Sequence, residues 1–551
     1  WLKHCQLQQQ TQINLVAWSL RKADMGVRGL FSFAKSEENG GLWQTVHRDK
    51  RPHPHLVIDG GSFKHAFCKK FNSQFGLRHG GDLTNLWYAL TSFLEYLRSE
   101  EWEVTFVFDG STHEFKDDTY KVRAESAHLD ADKVVTGLAD GSENVNPLLA
   151  GRMIAECLES MRIETVVADF EADAVVAAVA QERGGMVVSN DSDLMLMDVR
   201  GFIDVQDFLA ISEAAPSFME PARLWSLLGL NAQDLGIFAG LSGNDFVDFG
   251  ELKFWHTWIR RDFTAGLPAL QVVAKFVKKC RQVGQDPLVE GKKALPESLH
   301  AGLDYSASQA YEVLFDRNVS ELTIRDQNLT GQLLEQYRHG RLPPAMIDAA
   351  IGRPLLLPAL LEPLEGPSGW NWSRPLRAGA TALLPDPVKE RGRRDGAAKV
   401  SELPLEAPAL SPPSNNWPFD LPGLAEEDKQ RHFRATADWE ELDRDWNTLP
   451  ADLVLPVAAM RYLVLQNGEA EKGLDLTWPG IAVWLMQLCM DSEVVDMYLE
   501  LRLPLPTTAY MQGRVGNHCG TWREHDFSAC LEHEKSCRVL EVMKQHGPAF
   551  F

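Results

Sequence analysis

The strongest constraint in this sequence is a repeated pattern in which an apolar, β-rich run ends in acid. His55-Leu56-Val57-Ile58 runs into Asp59-Gly60, and Val104 to Phe108 runs into Asp109-Gly110. Downstream, Glu164 to Val167 precedes Glu171-Ala172-Asp173, and Gly185 to Val188 precedes Asp191-Ser192-Asp193. Gly201 to Val205 reads as a fifth run. Helical patterns lie between them. Asp82 caps a stretch carrying Leu86, Leu90, Phe93, Leu94 and Leu97, and Ala172 to Arg183 is rich in Ala and Val. Short β-branched runs alternating with helices imply a parallel sheet covered on both faces. Ligands of such sheets bind outside the carboxyl ends of the strands, which is where these acids fall. One Asp-Gly at a strand end is ordinarily a helix cap or a turn. Capping gives no reason for acids to recur at every strand end.

Packed carboxylates repel one another, and a bound cation is the natural relief. With Asp245 in Gly243-Asn244-Asp245, the candidate ligands are Asp59, Asp109, Glu171, Asp173, Asp191, Asp193 and Asp245. Oxygen donors select hard cations, and no His or Cys recurs beside them, which disfavours zinc. Two such ions about 3.5–4 Å apart, served by several strand ends, suit phosphodiester hydrolysis. The net charge of −22 excludes a surface that is basic throughout, though a local basic track is compatible with it. No window approaches the roughly 20 apolar residues of a membrane span, so no membrane partner is expected. The 8 cysteines are irregularly spaced and read as reduced thiols.

At 551 residues the chain exceeds one domain. Residues 1–24 read as an N-terminal extension, non-native or disordered, with Met25 as the natural start. Residues 25–262 read as the α/β core, 263–353 as a helical extension, 354–425 as a proline-rich linker containing Arg391-Gly392-Arg393-Arg394, and 426–551 as a helical, Trp-bearing region. The four-residue basic stretch reads as a solvated cluster or an import patch. Near the end, His518, Cys519, His525, Cys530, His533 and Cys537 have no zinc-like pairing.

Met25-Gly26-Val27-Arg28-Gly29-Leu30, Val107-Phe108-Asp109-Gly110, Glu171-Ala172-Asp173, Asp191-Ser192-Asp193 and Gly243-Asn244-Asp245 together resemble the flap endonuclease or XPG-like superfamily. Within it, the opening and the stretch Tyr337-Arg338-His339-Gly340-Arg341-Leu342-Pro343-Pro344 are similar to the asteroid family. The resemblance implies a PIN-like α/β fold, a parallel sheet flanked by helices and followed by mainly helical C-terminal regions. It also implies two Mg²⁺ ions, with Mn²⁺ as a substitute, and cleavage of branched or overhanging DNA. By the same resemblance Glu171, Asp173, Asp191 and Asp193 ligate metal directly, and Asp59, Asp109 and Asp245 do so directly or through water. Gly26 is placed beside the site. Lys116 and Arg123, seven residues apart on one face of a predicted helix, are placed on the scissile phosphate.

Three departures bear on substrate. Asp130 to Asn146 is acidic where a basic arch is expected, His65 stands where an aromatic stacking residue is expected, and no glycine-rich duplex grip follows Asp245. The expectation is a structure-specific nuclease whose partner is nucleic acid, DNA before RNA, with protein partners through the C-terminal region. Its expected location is nuclear, with the cytoplasm as the alternative. The competing expectations are a catalytically inactive scaffold in signalling or RNA binding, and an RNA-directed nuclease.

Overall fold

Seven strands form the central sheet: β1 (Trp43–Thr45), β2 (Leu56–Asp59), β3 (Val104–Phe108), β4 (Glu164–Val167), β5 (Met186–Ser189), β6 (Phe202–Asp204) and β7 (Ser217–Met219). Their order is β1-β7-β6-β5-β2-β3-β4. The computed structural model describes residues 26–405, apart from 47–51, 78–81, 113–115, 142, 144, 263–266, 316–330, 341–343 and scattered positions between 366 and 395. The N-terminal extension and the expected helical region 426–551 lie outside the described residues.

The five strands from β6 to β4 are parallel. From β2 the chain steps outward to β3 and β4, then returns to the other side of β2 as β5. The crevice above β2 and β5 is therefore a topological switch point, the place where such sheets take ligands. All of β2 is buried, and its side chains alternate between two cores. Val57 faces one core with Val27, Leu30 and Val187, whereas Leu56 and Ile58 face the other with Phe63, Leu90 and Phe106.

The helices that matter for the site are, in order, α1 (Leu30–Ala34), α2 (Gly60–Phe75), α3 (Leu83–Ser99), α4 (Asp117–Val135), α5 (Ala150–Ser160) and α6 (Ala172–Arg183). They continue as α7 (Leu235–Ser242), α8 (Phe249–Ile259), α9 (Ala269–Gln282), α10 (His300–Phe315), α11 (Gly331–Arg338) and α12 (Pro344–Ala350). Helix α3 starts as its sequence dictates, with Asp82 accepting from the Asn85 amide at 3.0 Å. Its Leu86, Leu90, Leu94 and Leu97 are buried. Every residue of α7 is buried. No helix among the described residues is long and apolar enough to cross a membrane.

Two expectations are corrected. The sheet is mixed, because β7 runs antiparallel to β6 and β1 antiparallel to β7. These edge strands are three residues long, too short to print a period on the sequence. Nor does the proline-rich stretch begin as a linker. Residues 355–404 contribute β8 (Leu355–Leu356), β9 (Lys389–Arg393) and β10 (Val400–Pro404), a second sheet. Of its basic residues, Arg391 and Arg393 are paired rather than solvated. Arg391 meets Asp117 at 2.9 Å, and buried Arg393 meets Glu362 at 2.9 Å.

Candidate active site: a carboxylate cluster closed by its own cations

Each acid is set by the end of an element. Asp59 closes β2 and caps α2 through Oδ1, which accepts from the Ser62 amide at 3.0 Å. Its Oδ2 accepts from the Ser62 and Ser189 hydroxyls at 2.6 and 2.7 Å. The capping reading of Asp59 thus holds alongside the site reading, on different oxygens. Asp109 follows β3 and accepts from the Ala172 amide at 2.9 Å, at the start of α6. Glu171 and Asp173 flank that same turn. Asp191 and Asp193 follow β5, and the Asp193 amide donates to Asp191 at 2.9 Å. Asp245 follows α7.

Four of the acids, Asp109, Asp173, Asp191 and Asp193, have raised pKa values. Desolvation, then the charges of Glu171 and Asp59, pushes the Asp109 carboxyl up to about 6. Desolvation and Asp245 push Asp193 up to about 7. Asp173 and Asp191 are raised well above the usual carboxylate range, by desolvation first and then by Asp191 and Asp193 respectively. Asp193 Oδ1 is buried with no hydrogen-bond partner.

Inside this cluster sits Lys116, only 4% exposed. Its Nζ lies 2.7 Å from Glu171 and 3.5 Å from Asp245, and 4.8 Å from the centre of the Phe246 ring. Burial works to lower its pKa, but Glu171, Asp245 and Asp173 more than offset that and hold it well above the ordinary lysine value. Arg123 forks onto Asp245 with bonds of 2.9 and 2.7 Å. Both cations were expected near a scissile phosphate; here they neutralise the acids.

Tyr120, which sequence reading passed over, donates to Glu171 Oε1 at 2.7 Å. Its signal was the spacing: Lys116, Tyr120 and Arg123 stand at i, i+4 and i+7. Ser62 and Ser189, which hold Asp59, carried no such signal.

Gly26 lies against Asp191 and Asp193. A Cβ built there would collide with the Asp191 carboxylate and stand 2.6 Å from the Asp193 amide nitrogen. The Val27 carbonyl accepts from Ser192 Oγ at 3.0 Å, and the Arg28 amide donates to Gly243 at 3.0 Å. His65 is half-buried, bonded through Nδ1 to Asn146 at 2.7 Å. Burial, with Lys64 and Arg123 nearby, holds its pKa down near about 3, so it is neutral at pH 7. The acidic segment forms the end of α4 and a loop in which Glu143 accepts from the Asp140 and Gly141 amides at 2.9 and 3.0 Å.

Beyond Asp245, α8 turns Leu252, Trp255 and Ile259 into the core. At about 100° per residue its outer face collects Phe254 and Trp258, and Arg261 follows in the short 3-10 turn Arg260–Asp262. Phe254 is 82% exposed and Trp258 49%. Aromatic rings beside a cation can stack unpaired bases.

Among the described residues, no three His, Cys, Asp or Glu side chains stand as a closed set of metal ligands. Asp59, Glu171 and Asp245 are turned onto Ser62, Ser189, Lys116, Tyr120 and Arg123 instead. The cluster's chemistry nonetheless fits hard divalent cations. The donors are all oxygen, several have pKa values raised by burial and then by neighbouring acids, and one buried oxygen lacks a partner.

Residues 145–403 match the family described as XPG domain containing. The chain is 27% identical over 395 residues to the single-strand DNA endonuclease ASTE1 of Mus musculus, covering 65% of this chain and 56% of the relative. It is 26% identical over 396 residues to that of Homo sapiens, with the same coverage. Over these spans the chain is similar to the asteroid branch of the XPG-like family. It spans 56% of the length of these curated relatives. Among solved structures it is similar to the catalytic core of Rad2 in complex with DNA substrate, at 16% identity and a TM-score of 0.33, covering 58% of this chain and 89% of that one. Flap endonuclease-1 of Methanococcus jannaschii aligns at 17% identity and a TM-score of 0.30, covering 49% and 96%. The XPG-type match includes Glu171, Asp173, Asp191, Asp193 and Asp245. Asp59, Asp109, Lys116 and Arg123 precede it and enter the site on geometry alone.

Proposed function

We propose that this chain is a divalent-metal-dependent nuclease that hydrolyses phosphodiester bonds in DNA bearing single-stranded or branched segments. The observation that carries the reading is the convergence of Asp109, Glu171, Asp173, Asp191, Asp193 and Asp245 around Lys116 and Arg123, with Asp59 beside Asp109 and Asp173. A scaffold has no reason to hold acids at this electrostatic cost. Glu171, Asp173, Asp191 and Asp193 would hold Mg²⁺ or Mn²⁺ directly, with Asp59, Asp109 and Asp245 acting directly or through water. Bound there, the ions would activate a water and offset charge on the phosphate.

The remaining work falls to the chain's own residues. Lys116 and Arg123, freed from carboxylates that acquire another counter-charge, can turn to the phosphate oxygens and stabilise charge developing there. Tyr120 orients Glu171. The exposed Phe254 and Trp258 support a single-stranded portion of the substrate, because stacking of this kind is indifferent to sequence. The relatives' description as single-strand DNA endonucleases supports the same choice.

The test is cleavage of labelled 5′ and 3′ overhangs, flaps and single-stranded RNA with Mg²⁺ or Mn²⁺. We expect metal-dependent cutting of DNA that falls by at least about a hundredfold in Asp191→Ala and in the double change with Asp193→Ala. Cleavage surviving both changes would refute the site. Absence of cleavage together with absence of metal binding by calorimetry would favour a scaffold.

A further inference from the structure

The two loops that deliver three of the seven acids are joined by residues more than 150 positions downstream. The loop after β3 carries Asp109, and the loop after β4 leads to Glu171 and Asp173. Their backbones bond directly: the Gly110 amide donates to Phe170 at 2.6 Å and the Ser111 amide to Asp169 at 3.1 Å. Gly110 is clamped so tightly that a Cβ there would collide with the Ala168 carbonyl and the Tyr337 hydroxyl.

Tyr337, near the end of α11, is fully buried. Its hydroxyl accepts from the Ser111 amide at 2.6 Å and faces the Ala168 and Asp169 carbonyls at 3.1 and 3.2 Å. One phenol oxygen therefore accepts from one loop and donates to the other, which uses its hydrogen-bonding capacity fully. Next to it, Arg338 forks onto Asp169 with two bonds of 2.9 Å. From α12, Asp348 takes three donors on its Oδ1: Ser111 Oγ at 2.6 Å, the Thr112 amide at 2.8 Å and Thr112 Oγ1 at 2.9 Å. The apolar seal is Val167, Leu334, Tyr337 and Ile347.

We infer that Tyr337, Arg338 and Asp348 are positioning residues that fix the spacing of Asp109 from Glu171 and Asp173, and so preorganise the metal ligands. None touches the acids themselves. They act on the backbone two residues from Asp109 and two residues before Glu171. The inference rests on the metal reading proposed above, so its test includes a readout that needs no metal.

The first measurement is hydrogen exchange in the metal-free full chain. Tyr337→Phe keeps the ring and its packing but removes the hydroxyl. It should accelerate exchange at Ser111 and, because Ala172 donates to Asp109, at Ala172 too. The second is Mn²⁺ titration by calorimetry. Outer residues that orient ligands typically change metal affinity by roughly ten- to a hundredfold, and Tyr337→Phe and Asp348→Ala should weaken binding within that range. Asp348→Asn should restore affinity close to wild type, because all three donors fall on the one oxygen that Asn retains. A role resting on the charge of Asp348 would leave the Asn variant as weak as the Ala variant, and that result would overturn the inference. Unchanged exchange at Ser111 and Ala172 in Tyr337→Phe would overturn it as well, whatever the metal does. Should Tyr337→Phe fail to fold, the Asn–Ala contrast at position 348 decides. If the wild-type chain binds no Mn²⁺, the proposed function falls and the preorganisation of metal ligands falls with it; normal wild-type binding unmoved by the variants sinks the inference alone.

Discussion

At the residue scale, the site depends on a missing side chain as much as on the acids present. Gly26 has φ +74°, a conformation that disfavours any Cβ, and its α-carbon faces Asp191 and the Asp193 amide. Gly26→Ala should therefore displace the Asp191 carboxylate, and we expect it to abolish metal binding while costing about 1–3 kcal/mol of stability. Calorimetry and thermal unfolding of the variant check both parts, and normal metal affinity would show that Gly26 does not abut the site. The acids themselves predict a pH dependence. Asp109 and Asp193 have folded-state pKa values of about 6 and about 7, raised from 3.8. The folded chain thus binds these protons more tightly than the unfolded chain. That stabilisation is complete below about 4 and is lost as pH rises through about 6 to 7. Metal competes for the same oxygens, so the rise in Tm on adding Mg²⁺ should be small at pH 5 and grow by pH 7.5. An equal rise at both values would contradict linkage between the ion and these carboxylates.

At the scale of elements, α4 carries Tyr120 and Arg123 on one face, with Lys116 at its start, and is braced on another. Asp117, Glu125, His128 and Asp132 lie about 130° around the helix from the site face. They meet Arg391 at 2.9 Å, the Val400 amide at 3.0 Å, the neighbourhood of Arg393 and Glu362, and the Leu364 amide at 2.9 Å. Two arginines two residues apart on β9 should then respond differently. Arg391→Ala removes pairs to half-exposed acids and should cost about 1 kcal/mol or less. Arg393→Ala strands Glu362 in a buried setting and should cost about 3–5 kcal/mol. Equal losses in denaturant titrations would contradict the burial assigned to Arg393. This contrast also shows what the sequence could not display. The strand ends β2 to β5 and their acids were legible, because each run is long enough to show β-branched character and ends in its own functional group. Arg391-Gly392-Arg393 read as a solvated patch because its partners Asp117 and Glu362 are 274 and 31 positions away. Tyr120 was legible by spacing yet unread, whereas Ser62 and Ser189 become site residues only once β2 and β5 lie side by side.

At the scale of the whole molecule, both segments downstream of the core act back on it. Helices α11 and α12 hold the loops of Asp109 and Glu171, and the β8–β10 sheet holds the helix of Arg123. The family match extends to residue 403 and so takes in both helices and nearly all of the second sheet. Ending the chain after Arg353 would leave α11 and α12 in place but remove β8 to β10, uncovering His128, which is only 2% exposed in the intact chain. It would also release Asp117, Glu125 and Asp132 from their partners. We expect the truncated chain to unfold at a Tm lower by about 5 °C or more, at about 2–4 °C per kcal/mol for a domain of this size. Metal affinity should change little, because the ligands stand on the central sheet and on the loops that Tyr337 and Asp348 hold. Turnover should fall, because Lys116 and Arg123 depend on the bearing of α4. A truncated chain with unchanged Tm and turnover would show that the second sheet rests on α4 without holding it. A chain that loses metal binding as well would show that the brace reaches the acids through Lys116, Tyr120 and Arg123, which bond Glu171 and Asp245 at 2.7 Å.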